Sequence, residues 1–125
     1  MISCCDSRVD PGILFDLEPG DIFVIRNVAN LVPPFETEGD YYGTSAALQF
    51  AATCLQVTQV VVLGHANCGG IRALMENDDA IQTGGFIDSW MNLAAAAKNE
   101  VLARDDLNTP EQCINACEKQ RWFIR

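Results

Sequence analysis

Two short clusters hold most of the reactive side chains in this sequence. One is Cys4-Cys5-Asp6-Ser7-Arg8, and the other is His65-Ala66-Asn67-Cys68-Gly69-Gly70. Cysteine and histidine together make a soft-to-borderline donor set that suits Zn²⁺. His65 and Cys68 flank a single turn, so both side chains can face one ion. With Cys4 they would supply three protein ligands. Three ligands leave the fourth tetrahedral position open, which is the pattern of a catalytic rather than a structural zinc site. His65 is the one histidine of the chain, and no Cys-x-x-Cys pair is present to build a closed four-ligand site.

Each piece also has an ordinary reading. A lone histidine after a strand is more often a hydrogen-bonded loop residue. A buried cysteine is usually a small apolar filler, and Cys54 reads that way. Cys113 and Cys117 lie four apart on a helix with no third ligand nearby, so packing is their expected role. Cys5 points away from Cys4 if the segment is extended. Asp6 and Arg8 could be a surface ion pair of little energetic consequence. The combination of the two clusters is what favours a metal.

These clusters must be positioned by the elements around them. Met1 to Cys4 reads as the tail of a strand. Pro11-Gly12 starts a short turn or helix through Phe15. Asp21 to Arg26 is β-branched and aromatic and predicts a strand. Asn27 to Tyr42 carries Pro33-Pro34 and Gly39 and reads as loop. Gly43 to Leu55 predicts a helix capped by Thr44 or Ser45. Gln59-Val60-Val61-Val62-Leu63 is a continuous apolar run, the pattern of a strand buried on both faces of a parallel sheet. A turn follows, then a helix from Ile71 to Glu76 and a polar loop over Asn77 to Gly85. Phe86 to Arg104 predicts one long helix with Phe86, Trp90, Leu93, Ala94, Ala97 and Val101 on one face. Thr109-Pro110 has the form of a helix cap with proline in the first position, and that helix runs to about Gln120. Strands alternating with helices give an α/β fold with a parallel-sheet core and flanking helices. Both clusters then fall beyond the carboxyl ends of strands, where open α/β sheets bind ligands.

Composition narrows the partners. The chain has 125 residues, one domain's worth, with 49% hydrophobic and 20% charged residues. Its 17 acidic against 8 basic residues give a net charge of −9. That argues against nucleic acid and against an anionic membrane surface, both of which need a basic face. No apolar run reaches membrane-spanning length, and no secretory signal is visible. A cytoplasmic setting is expected, or an organelle lumen with the targeting segment absent. Six cysteines without a signal point to reduced thiols or metal thiolates rather than a disulfide framework.

Cys4-x-Asp6-Ser7-Arg8 followed by Gly64-His65-x-x-Cys68-Gly69-Gly70 resembles the two-part zinc signature of the β-class carbonic anhydrases. Gly20 to Pro34 and Gly43 to Leu48 agree with it, and the paired prolines resemble the plant-like branch. The similarity runs from Ile2 to about Gln120, over one domain spanning residues 1–125. It implies the β-carbonic anhydrase fold with an incomplete sheet, because the chain covers the middle of that domain. It lacks the N-terminal helices that embrace a partner subunit and the C-terminal strand. A homodimer or higher oligomer is the expectation.

The resemblance implies Zn²⁺ held by Cys4, His65 and Cys68, with water or hydroxide fourth, and the reversible hydration of CO₂ to bicarbonate. Asp6 would accept a hydrogen bond from the hydroxide, or would itself ligate zinc in a closed state. Arg8 would pair with Asp6 and favour the open state, and Ser7 would support the loop. Phe23 and Val28 match positions lining the CO₂ pocket. Phe50 stands where plant-like members carry a tyrosine, and the Gly69 N–H could bind a substrate oxygen. The family's pocket glutamine upstream of Cys4 has no counterpart here. With its one histidine committed to zinc, the chain has no internal histidine proton shuttle. Two other readings stay open: a hydrolase of a CO₂ analogue such as COS or CS₂ on the same scaffold, and an inactive zinc-binding remnant or partner module.

Overall fold

The computed structural model describes residues 1–35, 42–76 and 85–120. The chain packs as two compact units, one running from Met1 to Gly64 and the other beginning at His65.

The first unit is built on a three-stranded parallel sheet. Its strands are β1 (Ile2–Cys4), β2 (Ile25–Asn27) and β3 (Val62–Leu63), in the order β2-β1-β3. The register places Ser3 opposite Arg26 on one side and Leu63 on the other. β1 is therefore central and all three of its residues are buried. All three strands point the same way, so Cys4, Asn27 and Gly64 share one end of the sheet. Two helices complete the unit: α1 (Pro11–Leu14), with Asp10 as its cap, and α2 (Gly43–Thr53).

Several expectations shift here for identifiable reasons. The strand expected over Asp21 to Arg26 is confined to Ile25–Asn27, because β1 lies opposite those residues alone. The valine run before Leu63 is not buried on both faces. β3 is an edge strand, and Val60, Val61 and Val62 are exposed. α2 starts at Gly43 as expected, but neither Thr44 nor Ser45 caps it. Tyr42 holds the cap position without a side-chain bond, and the Thr44 hydroxyl instead accepts from the Asn27 amide at 3.3 Å. Cys54 is exposed, so it is no core filler; it sits just past the last turn of α2.

The second unit is helical: α3 (Gly69–Glu76), α4 (Phe86–Met91), α5 (Ala95–Leu102) and α6 (Pro110–Lys119). The long helix expected from Phe86 to Arg104 is interrupted by a 3₁₀ turn over Asn92–Ala94. A 3₁₀ turn has three residues per turn, so positions three apart eclipse. That brings Met91, Ala94 and Ala97 onto one buried side, with Val101 below them. Phe86, expected on that face, is off it and 99% exposed. α6 forms as expected, with Pro110 in its first turn. The Thr109 hydroxyl accepts from the Gln112 N–H at 3.2 Å, and Gln112 reaches back to the Thr109 N–H at 3.1 Å. Ile114 and Cys117 are its buried residues. Burial pushes the Cys117 thiol up to about 11, with the Glu118 carboxylate acting in the same direction. The polar loop expected over Asn77 to Gly85 lies, up to residue 84, outside the described residues.

Candidate metal centre

Cys4 takes its place from the sheet. It is the last residue of the central strand and is 5% exposed, while Cys5 beside it is exposed, as alternation along an extended segment requires. The Cys5 N–H still donates to the Asn27 carbonyl at 2.9 Å, so pairing with β2 continues one residue past Cys4.

Beyond that point the chain turns, and side chains take over. Asp6 caps a 3₁₀ turn over Ser7–Val9 by accepting the Arg8 N–H at 2.9 Å. The Arg8 guanidinium then grips both carboxylate oxygens, Nε to Oδ1 at 2.9 Å and Nη2 to Oδ2 at 2.6 Å. This fork is the strong geometry for an arginine–carboxylate pair. Arg26 makes a second fork. Its Nε donates to the Cys4 carbonyl at 3.0 Å, its Nη2 to the Asp6 carbonyl at 2.7 Å and its Nη1 to Asp10 Oδ2 at 2.7 Å. Asp10 Oδ1 meanwhile accepts from the Gly12 and Ile13 N–H groups at the start of α1. One guanidinium thus ties the Cys4–Asp10 segment to β2.

His65 and Cys68 come from the turn that precedes α3. Asn67 in that turn has a φ of 57°, a left-handed conformation that asparagine tolerates better than most residues. The Cys68 carbonyl accepts the Arg72 N–H at 2.9 Å, so Cys68 caps α3. Its own N–H donates to Glu118 Oε1 at 2.7 Å. Cys68 is 3% exposed.

The histidine ring reports its own tautomer. Nδ1 lies 2.9 Å from the Ala66 carbonyl, which can only accept, so Nδ1 carries the proton. Nε2 then presents a lone pair. It is buried and has no hydrogen-bond partner among the described residues. An orphaned buried acceptor is costly, and a metal ligand whose second nitrogen is pinned by a carbonyl is the usual arrangement that removes that cost. Cys4 closes the central strand of the first unit, and His65 and Cys68 share the turn that opens the second. An imidazole nitrogen and cysteine sulfurs are donors that zinc takes at about 2.0–2.3 Å. The donor set and the orphaned Nε2 therefore both suit the metal.

The remaining expected residues fall as follows. The Phe23 and Phe50 rings meet with centroids 6.0 Å apart, tilted by 34°. Val28 is half-buried and opens a 3₁₀ turn in which Ala29 and Asn30 both have positive φ. Gly69 is exposed at the first position of α3. Two residues that matter were not visible beforehand. Arg26 had one weak signal, a charge closing an apolar strand run. Glu118 had none, since 50 positions separate it from Cys68.

Comparison with known proteins points to one family. The family described as carbonic anhydrase matches residues 1–121. Beta carbonic anhydrase 5, chloroplastic, of Arabidopsis thaliana is 42% identical over 120 residues, which make up 95% of this chain and 39% of that protein. The structure of the β-carbonic anhydrase CcaA superposes with a TM-score of 0.82 at 32% identity, covering 94% of this chain and 52% of that one. A tetrameric β-carbonic anhydrase of Sordaria macrospora superposes at 0.71 with 29% identity, covering 93% of this chain and 56% of that one. The chain therefore spans about half the length of the relatives it matches, or less.

Proposed function

This chain belongs to the β class of the carbonic anhydrase family, and we propose that it catalyses the reversible hydration of CO₂ to bicarbonate, with Cys4, His65 and Cys68 holding Zn²⁺. The observation that carries this reading is His65 Nε2, buried and without a hydrogen-bond partner among the described residues, in the same turn as Cys68. When bound, zinc supplies the Lewis acidity that makes a hydroxide nucleophile available near neutral pH.

The chain's own residues do the rest. Cys4 and Cys68 bring two thiolate charges that neutralise the ion. Zinc held there would acidify water less than in a site of neutral imidazoles, so stopped-flow rates are expected to rise from about pH 6 to about pH 9, and a flat profile would count against this. Asp6 and Arg8 act as a pair. The Arg8 fork holds the Asp6 carboxylate, which supports the open state, in which Asp6 is not a ligand and would accept a hydrogen bond from the nucleophile. The family likeness assigns Phe23, Val28 and Phe50 to the apolar wall against which CO₂ would rest; the Phe23 and Phe50 rings touch each other, and Phe50 is 48% exposed. The Gly69 N–H serves a substrate oxygen. With no second histidine to relay the proton, turnover depends on buffer.

The family match runs through both compact units, which supports one carbonic anhydrase domain. A homo-oligomer, dimer or larger, is supported by the tetrameric relative and by the exposed valines of the β3 edge. A cytoplasmic or organellar setting is supported by the relative named chloroplastic. Among the described residues no helix is long and apolar enough to cross a membrane.

The test is stopped-flow CO₂ hydration by zinc-loaded protein, with Cys68→Ser as control. Turnover by the parent that the substitution abolishes supports the reading. Stoichiometric zinc without turnover overturns the catalytic part and leaves a metal-binding module.

A further inference from the structure

We propose that Glu118 is the positioning residue for Cys68, holding the backbone of that ligand from another helix. This rests on the zinc reading of Cys68 given above.

The need arises from helix geometry. A residue that caps a helix accepts the first intrahelical bond with its carbonyl, but its own N–H has no partner inside the helix. Cys68 is in that position: its carbonyl takes the Arg72 N–H and its side chain is buried. Helices commonly solve this with a Glu or Gln three positions into the helix, whose side chain reaches back to the cap N–H. α6 does so with Gln112 and Thr109. α3 cannot, because the third helical position is Ile71, which is buried in the core. Cys68 also cannot cap with an oxygen, because its side chain is a thiol. Glu118 supplies what both residues lack. Its carboxylate accepts the Cys68 N–H at 2.7 Å and places a negative charge at the positive end of α3.

Glu118 is itself well fixed. It follows Cys117, which is fully buried, on a helix whose start is held by the Thr109 capping box. Burial of Ile114 and Cys117 sets the rotation of α6, and that rotation presents Glu118 to Cys68. With the N–H bound, the Cys68 backbone cannot pivot, so its Cα–Cβ direction is set before any metal arrives. The role is geometric: any acceptor of the same length at position 118 suffices.

The test compares the parent with Glu118→Ala and Glu118→Gln. Zinc affinity is read by chelator competition, the thiolate-to-metal absorption of the cobalt-substituted protein is recorded, and amide exchange of Cys68 is followed by NMR in the parent. The alanine variant is expected to lose about 10-fold in zinc affinity and to shift the cobalt spectrum. The glutamine variant keeps an acceptor oxygen and is expected to stay close to the parent in both. The parent's Cys68 N–H is expected to exchange slowly. Parent-like affinity in Glu118→Ala, or equal losses in both variants, overturns the proposal, the second because it would make charge rather than geometry the cause. If the alanine variant does not fold, the Cys68 exchange rate decides: protection supports the bond and free exchange overturns it. A parent that binds no zinc refutes the metal reading instead. Cys68 protection in that protein then still reports whether Glu118 holds the backbone.

Discussion

The two segments that carry the proposed metal ligands are held by opposite strategies. Cys4 ends a central strand that pairs on both sides through Ile2 and Ser3 and with β2 at Cys4, and Arg26 secures the Cys4 carbonyl and the turn that follows. His65 to Cys68 form an irregular turn with no ladder. The ring of His65 is pinned by its own neighbour, and the Cys68 backbone by a carboxylate from a different helix. Regular structure positions a ligand through many weak, redundant bonds. A turn at a helix start has orphan donors and must borrow an acceptor from elsewhere, which concentrates the burden on one residue.

That contrast can be broken at several points. The largest effect is expected from Arg26→Ala, which removes one ion pair and two hydrogen bonds to carbonyls. It is expected to cost about 2–4 kcal/mol in urea unfolding. Arg26→Lys is expected to recover only part of this, because an ammonium cannot fork. A loss below about 1 kcal/mol would mean that strand pairing alone holds the first segment.

The second region has a pH signature. The Cys117 thiol is raised by burial from its ordinary value near 9 to about 11. Between those limits the unfolded chain releases this proton while the fold retains it. The contribution is therefore intact below about pH 9 and is lost as pH climbs toward 11. Urea midpoints measured across that range are expected to fall by an extra amount worth roughly 2 kcal/mol relative to Cys117→Ala. Parallel curves for the two proteins would show that the packing of α6 does not depend on a neutral thiol.

Arg8→Ala sharpens the comparison within the first segment. Arg8 is largely exposed, so unfolding stability should change by under about 1 kcal/mol. Turnover is expected to drop about 10-fold with zinc content unchanged, because the substitution releases the Asp6 carboxylate. Zinc lost in proportion to activity would make the pair a structural support of the site instead. The smallest effect is expected from Thr109→Ala, which opens the capping box of the helix that carries Glu118. A loss of about 1 kcal/mol is expected, with faster amide exchange along the first turn of α6.

Much of this was legible beforehand because it is local. The Cys4-x-Asp6-Ser7-Arg8 cluster contains its own ion pair two residues apart, and the structure forms it. Thr109-Pro110 names its own helix start. His65 and Cys68 flank one turn whatever surrounds them. Less local features were misjudged. The valine run marked a strand that forms only at Val62–Leu63, and it did not determine burial, because burial depends on which strand lies outside β3. The stripe from Phe86 assumed one helical period, and a 3₁₀ turn changed it.

The sequence by itself determined the donor types, their spacing and the order of strands and helices, since each follows from side-chain chemistry and short-range backbone preference. Tertiary structure decided the rest. It set which residue ties down each ligand segment, which histidine nitrogen is left to bind and which apolar residues stay exposed. Those outcomes depend on contacts such as Arg26 to Cys4 and Glu118 to Cys68, which exist only after the chain has brought distant residues together.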